Sequence, residues 1–175
     1  ADFTDTLLLL KHLEIPENET LDWLDAPSEE AYSRSYNLLI DLGAIDQKTS
    51  KITQVGRVMQ KLPTAPRLAR ILIAASKSEC FLQAVLCAAL LTEREILVPI
   101  KQGGSTEILK RRNSLAEAQS SDFLLAIRAF EFAWRNRYSV EKCSKYGIHA
   151  QAAKTVELIF KKLLQAASSC NLRTH

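Results

Sequence analysis

No phosphate loop, no zinc spacing and no long apolar run occur in this 175-residue sequence. Without GxxxxGK[ST] there is no glycine-rich backbone cradle for nucleotide phosphates. Gly103-Gly104 is too short for that role and reads as a turn. The four cysteines (Cys80, Cys87, Cys143, Cys170) form no CxxC pair, and His12, His149 and His175 lack zinc-ligand spacing. Reduced, buried thiols and no metal site are therefore expected. A membrane helix needs about eighteen or more consecutive apolar residues, and none are found. The opening ADFTDTLLLL has neither a basic start nor a small-residue cleavage site, so a signal peptide is not expected. It also begins without methionine, and the chain reads as a piece of a longer protein. No Ser/His/Asp set, HExxH or paired-carboxylate pocket stands out. Asp22 and Asp25 read as turn and helix-entry residues. Catalysis by this chain alone is not expected.

What is present is an apolar content of 47% with 25% charged residues, enough for one ordinary domain or two small ones. Charge is unevenly placed. Residues 1–50 hold three Lys/Arg against eleven Asp/Glu, and residues 51–175 hold twenty against nine. The basic remainder is suited to a polyanion and the acidic front to something else.

Punctuation along the chain predicts helices. Thr4 to Leu13 is a short one, ended by Pro16. Ser28 caps a helix from Glu29 to Leu42, its first-turn glutamates favoured by the dipole, and Gly43 takes the left-handed end position. Ala44–Asp46 and Lys51–Thr53, joined by a turn-rich stretch, predict a two-stranded hairpin. Thr53 caps Gln54 to Lys61, and Pro63 stops that helix. Helix, hairpin and helix make a small winged helix. Pro66 opens a further helix to Lys77. Glu79 to Leu91 is apolar all round and is expected at the centre of a bundle. Glu93 to Ser105 is a loop, and Thr106 to Ser120 is polar. Ser121 caps a long helix with Phe123, Leu124, Ile127, Phe130 and Trp134 expected inward. Ser139 to Tyr146 and Ala150 to Ala167 complete the chain. The expected fold is mainly α, with a leading helix and winged helix over residues 1–64 and a helical bundle over 65–175.

The functional candidates are basic. Lys101, Lys110, Arg111 and Arg112 lie on the irregular stretch, where long side chains reach phosphates. Arg128 and Arg135 lie seven apart, nearly on one helix face. Ser121 and Asp122 stand at that helix's N-terminus, where free N–H groups can hold a phosphate oxygen. Against these stand plainer roles: surface ion pairs for the arginines, simple capping for Ser121, and core anchoring for Trp23 and Trp134, which could otherwise stack on bases.

Certain words then carry a resemblance: LLLLKHLEI (7–15), LDAPS (24–28), LGAID (42–46), ITQVGRVMQKLPTAPRLARIL (52–72), ALLTERE (89–95) and SDFLLAIRAF (121–130). Over nearly the whole chain the sequence resembles the region C-terminal to the motor core of DEAH-box ATP-dependent helicases, the bacterial branch in particular. That region joins a degenerate winged helix to a bundle called the ratchet. The resemblance departs at Ala65, where many relatives carry an acidic residue or histidine. The RecA-like domains, their arginine fingers and the oligonucleotide-binding fold are not in this sequence.

The resemblance implies a non-catalytic part of a cytoplasmic helicase that closes a single-stranded RNA or DNA channel and couples strand grip to the RecA-like motor. ATP and Mg would belong to the parent protein, and no membrane is implied. By position it puts Ser121, Asp122 and Arg128 first for strand contact, then Arg135, Lys101, Lys110, Arg111 and Arg112, with Arg67 and Trp23 structural or interdomain. Two rivals are open. One is a winged-helix duplex reader using Gln54, Arg57, Gln60 and Lys61. The other is a protein-interaction scaffold, favoured by the acidic front.

Overall fold

The computed structural model describes residues 2–15, 23–93, 96–99, 106–115 and 121–172. Among these it has nine α-helices: α1 (Thr4–His12), α2 (Glu29–Asp41), α3 (Gln54–Lys61), α4 (Pro66–Ala75), α5 (Phe81–Thr92), α6 (Thr106–Asn113), α7 (Asp122–Arg135), α8 (Val140–Ser144) and α9 (Ala150–Ser169). None of the described helices is long and apolar enough to cross a membrane. The chain divides into two compact units, Ala1–Ala84 with Leu163–His175, and Val85–Lys162.

In the first unit α1 packs on α2 and α3, and α3 packs on α4. Leu7 and Leu8 of α1, Leu39 of α2, Met59 of α3 and Leu72 of α4 are among the fully buried side chains of this unit, with Phe81 and Leu163. Each buried leucine or methionine of this size is worth about 1.5–3 kcal/mol of transfer free energy. Ser28 Oγ accepts the Ala31 N–H at 3.2 Å and starts α2. Gly43, at φ +70°, turns the chain out of α2 with open space around it.

The expected hairpin contracts to one antiparallel bridge between Ile45 and Ile52. Two backbone bonds flank it, Asp46 N to Lys51 O and Thr53 N to Ala44 O, each 2.9 Å. Both ends of a longer ladder are taken. At the tip, the Asp46 carboxylate accepts the Lys48 and Thr49 N–H groups and the Thr49 hydroxyl. These bonds, the Thr49 N–H foremost, hold its pKa below the usual carboxylate range. At the base, Thr53 leaves the strand to cap α3: its hydroxyl accepts the Gly56 N–H at 3.1 Å and donates to the Gly43 carbonyl at 2.6 Å. The extended segments are therefore too short for paired strands.

The second unit has its own bridge, Leu97 to Ile148. It is held by Val98 N to Gly147 O and His149 N to Ile96 O, both 2.8 Å. Small side chains fill much of this core: Ala88, Ala89, Ala129, Ala133, Cys143 and Ala153 are buried, with Val85 and Val156. Burial pushes the Cys143 thiol pKa up, as for an unreactive core cysteine. α7 packs on α8.

Two expectations about apolar helices are corrected. α5 is buried on one side only: Phe81, Val85 and Ala88 are inside, while Leu82 is 42% and Leu91 58% exposed. On α7, Leu124 and Trp134 face outward rather than into the core, at 50% and 58% exposure. The spacing of apolar residues marks which face could be buried, but the positions filled by Ala129 and Ala133 are the ones that are.

Gly56 sits where α3 passes closest to the bridge. A Cβ there would collide with the Ala44 carbonyl oxygen and lie 2.8 Å from Ile52 Cγ1. Alanine's advantage over glycine in a helix is about 1 kcal/mol, and overpacking against backbone costs about 1–3 kcal/mol. Gly56→Ala is therefore expected to destabilise by up to about 2 kcal/mol in urea unfolding, with the bridge amides losing exchange protection. An unchanged midpoint would show that α3 can move away from Ala44.

Candidate nucleic-acid interface

α7 supplies the most extended candidate surface. Ser121, its N-cap, accepts the Leu124 N–H through Oγ at 3.3 Å, so its hydroxyl has a capping role in this structure. Asp122 opens the helix. Leu124, Arg128, Glu131 and Arg135 follow at intervals of four, three and four residues and so share one side. Arg128 and Arg135 are exposed on that side. The Arg128 guanidinium donates to Glu131 at 2.9 Å, with more than half of its side chain still accessible. Such an exposed pair is worth about 0–1 kcal/mol and yields readily to a phosphate. Trp134, adjoining Arg135, offers a broad accessible ring face, the kind of platform on which bases stack irrespective of sequence. Sequence reasoning had placed it inward. The one available signal was that Trp134 is followed directly by Arg135-Asn136-Arg137, a polar run that marks the edge of the apolar face.

The basic cluster at the end of α6 divides. Lys110 is exposed, and Arg111 pairs with Glu107 at 3.1 Å on the helix surface. Arg112 turns the other way. It is only 8% exposed. Its Nε donates to the Tyr146 carbonyl at 2.9 Å, and its Nη2 to the Val98 and Gly147 carbonyls at 2.6 Å each. Desolvation lowers its pKa, yet an arginine remains charged in proteins. Gly147, at φ +59°, leaves the space the guanidinium fills: a Cβ there would run into Nη2 and sit 3.0 Å from Ile108 Cγ2. Arg112 is thus withdrawn from the phosphate-contact set, because it is buried and its N–H donors are already taken by three carbonyls. Lys101 lies outside the described residues.

Trp23 and Arg67 lie in the first unit. The Trp23 ring meets Phe3 edge-on at 5.7 Å, and Phe3 continues to Tyr32 at 6.1 Å and Tyr32 to Tyr36 at 6.3 Å. Arg67 is exposed on α4. Its charge adds to the Thr4 hydroxyl and backbone bonds that lower the pKa of Asp2. Arg70, one turn further on, was not anticipated: its Nε donates to the Leu42 carbonyl at 3.1 Å and satisfies the end of α2.

A helix, a bridge and a helix followed by further helices make up this chain among its described residues, and comparison with known proteins identifies a helicase-associated module. Residues 35–64 match the helicase associated domain (HA2), winged-helix family, and residues 65–126 match the helicase associated domain (HA2), ratchet-like family. The two matches adjoin and span more than half of the chain. The chain belongs to the helicase-associated family found in DEAH-box RNA helicases.

Among its relatives, the probable ATP-dependent RNA helicase DHR2 of Saccharomyces cerevisiae is 31% identical over 118 residues, 67% of this chain and 16% of that protein. The putative ATP-dependent RNA helicase rha-2 of Caenorhabditis elegans is 24% identical over 192 residues, 98% of this chain and 17% of its own length. The DExH-box ATP-dependent RNA helicase DExH2 of Arabidopsis thaliana is 24% identical over 169 residues, 87% of this chain and 11% of its own. The chain thus spans about a sixth or less of the relatives it matches.

The split between Arg112 and its neighbours is testable. Arg112→Met leaves three carbonyls without their charged donor and is expected to cost about 3 kcal/mol or more. Lys110→Glu with Arg111→Glu should cost less than about 1 kcal/mol, since both act at the surface. Chemical denaturation of the two variants gives the comparison. Equal losses would mean that Arg112 is not the latch described.

Proposed function

We propose that this chain is the non-catalytic helicase-associated part of an ATP-dependent DEAH-box RNA helicase, closing a channel around a single strand. The observation that carries the reading is the unbroken order of winged-helix and ratchet-like matches, joined to an outward Arg128, Trp134 and Arg135 on α7. Residues 85–162 hold thirteen Lys/Arg against eight Asp/Glu, a balance that favours a polyanion on this unit. In this reading Arg128 and Arg135 meet backbone phosphates, Trp134 stacks on a base, and the start of α7 at Ser121 and Asp122 presents backbone N–H groups. Lys110 and Arg111, with Lys101, add longer-range attraction. The first unit docks on the motor through surfaces that include Trp23 and Arg67 and passes on its movement. RNA is the substrate proposed, because the relatives' names are those of RNA helicases. ATP and Mg are held by RecA-like domains of the parent protein, as this sequence has no phosphate loop for them.

Single-stranded RNA titrations over roughly 50–200 mM salt test this. Weak, sequence-indifferent binding is expected, with log K falling linearly in log salt. Arg128→Glu with Arg135→Glu should flatten that slope by about 1.4, two phosphate contacts at ~0.7 each for a single strand. Trp134→Ala should cost about 1–3 kcal/mol of binding with little change in slope. Tight, sequence-selective duplex binding would point to the duplex-reader alternative, and no binding at low salt to a protein scaffold.

A further inference from the structure

We propose that the exposed side of α9 in the second unit is a further phosphate-contacting surface, carried by Lys154, Lys161 and Lys162, onto which a single strand held by α7 continues. The inference rests on the α7 reading and extends it to a second helix. Gln151, Lys154, Leu158, Lys161 and Lys162 are exposed and recur every three or four residues, so they share one side of α9. Ala153 and Val156 are buried on the other side. Between Gln151 and Lys162 the one acidic residue is Glu157. The Lys161 ammonium pairs with it at 2.7 Å, and 65% of the lysine side chain is still accessible. Such a surface pair is worth about 0–1 kcal/mol and exchanges readily for a phosphate. Among the described residues Lys154 and Lys162 have no ion-pair partner of their own.

Glu157 also marks where the end of α7 reaches α9. Tyr138, three residues past Arg135, brings its hydroxyl beside the Glu157 carboxylate. Lys161 foremost and then Tyr138 hold the carboxylate below its usual pKa, while burial foremost and then Glu157 push the tyrosine up. Lys154 and Lys161 flank Glu157 at three and four residues, within about one turn of this junction. Arg135 and Arg137, both exposed, precede it in the chain. Exposed cations therefore stand on both sides of the junction, and a strand leaving Arg135 meets α9 next.

The chemistry of the stripe selects its partner. Lys154 and Lys162 lie eight residues apart, about 12 Å along a helix axis, long enough to meet more than one phosphate of an extended strand. Lysines are compact, hydrated charges that attract phosphates without reading bases. Leu158 is the one large apolar side chain of α9 that is more than half exposed, at 53%. A single leucine falls short of the apolar core that a protein interface requires.

The test measures salt-dependent binding of fluorescent oligouridylates of about six and about fourteen nucleotides, within the range of single-strand site sizes. The variant is Lys154→Gln with Lys161→Gln and Lys162→Gln. Glutamine has nearly the helix propensity of lysine, so thermal unfolding is expected to stay unchanged. On the longer strand the variant should flatten the salt slope by about 2, three phosphate contacts at ~0.7 each. On the shorter strand, which α7 alone can occupy, the change should be smaller. A slope on the longer strand equal to that of the unmodified chain would overturn the α9 surface, and the α7 reading would survive if Arg128→Glu with Arg135→Glu still flattens it. Absence of single-strand binding by the unmodified chain would end both. A polyglutamate peptide that binds as tightly as the longer strand, and loses affinity in the lysine variant, would overturn the proposal in favour of an acidic protein segment.

Discussion

A guanidinium that cannot shed its proton has to find acceptors wherever it is buried, and Arg112 imposes that condition on the second unit. Its acceptors are the carbonyls of Val98, Tyr146 and Gly147, so one side chain from α6 joins two separate chain segments, the same two that form the Leu97–Ile148 bridge. The Gly147 carbonyl accepts from both Arg112 and the Val98 N–H. Losing the arginine therefore weakens the bridge and the turn into α9 together. Because α6 is also where Lys110 and Arg111 emerge, the latch fixes the helix that presents them. A buried, carbonyl-bound arginine and two surface cations thus occupy three consecutive residues of one short helix.

The same economy governs the first unit. Thr53 ends the bridge, satisfies the Gly43 carbonyl and caps α3 with a single hydroxyl. The close approach of Gly56 to Ala44 follows from that joint. α3 is thereby seated through Gly56 and Met59, both buried, and Arg57 is turned toward Glu14 of the chain following α1. A helix so engaged presents little continuous outward surface for a major groove, which needs several side chains on one helix free to reach base edges. This favours docking over duplex reading as the role of the winged helix.

Much of the fold was legible because helix ends are local chemistry. Ser28, Thr53 and Ser121 each accept the expected N–H from their own first turn, and Gly43 takes a left-handed conformation two residues past α2. The mainly α class and the helicase-associated resemblance were both readable from these signals and the motif words. What was not legible depends on long-range partners. Arg112 looks like its neighbours Lys110 and Arg111 in sequence, and only carbonyls 14, 34 and 35 positions away distinguish it. Trp134 falls on an apolar period, but the depth of that period is set by Ala129 and Ala133, whose small size gives little weight in a pattern of hydrophobicity. The hairpin was overestimated because residue preference for extended backbone does not reveal that Asp46 and Thr53 end the pairing on either side.

Cations in this chain therefore sort by the dielectric they sit in rather than by their spacing. Where water is near, the pairs of Arg128 with Glu131, Arg111 with Glu107 and Arg57 with Glu14 are exchangeable, each close to neutral in free energy. A more highly charged anion can take over such a cation, because it offers more negative charge than one carboxylate and the helix beneath does not depend on the exchange. Where water is excluded, as at Arg112, the same guanidinium is fixed by carbonyls and exchange would require opening the core. A surface arginine already paired to a glutamate is accordingly held in place at little cost to its exchange for another anion. The glutamate orders the guanidinium, and the small difference between the paired and solvated states leaves that group open to another acceptor, which the carbonyl-bound Arg112 is not.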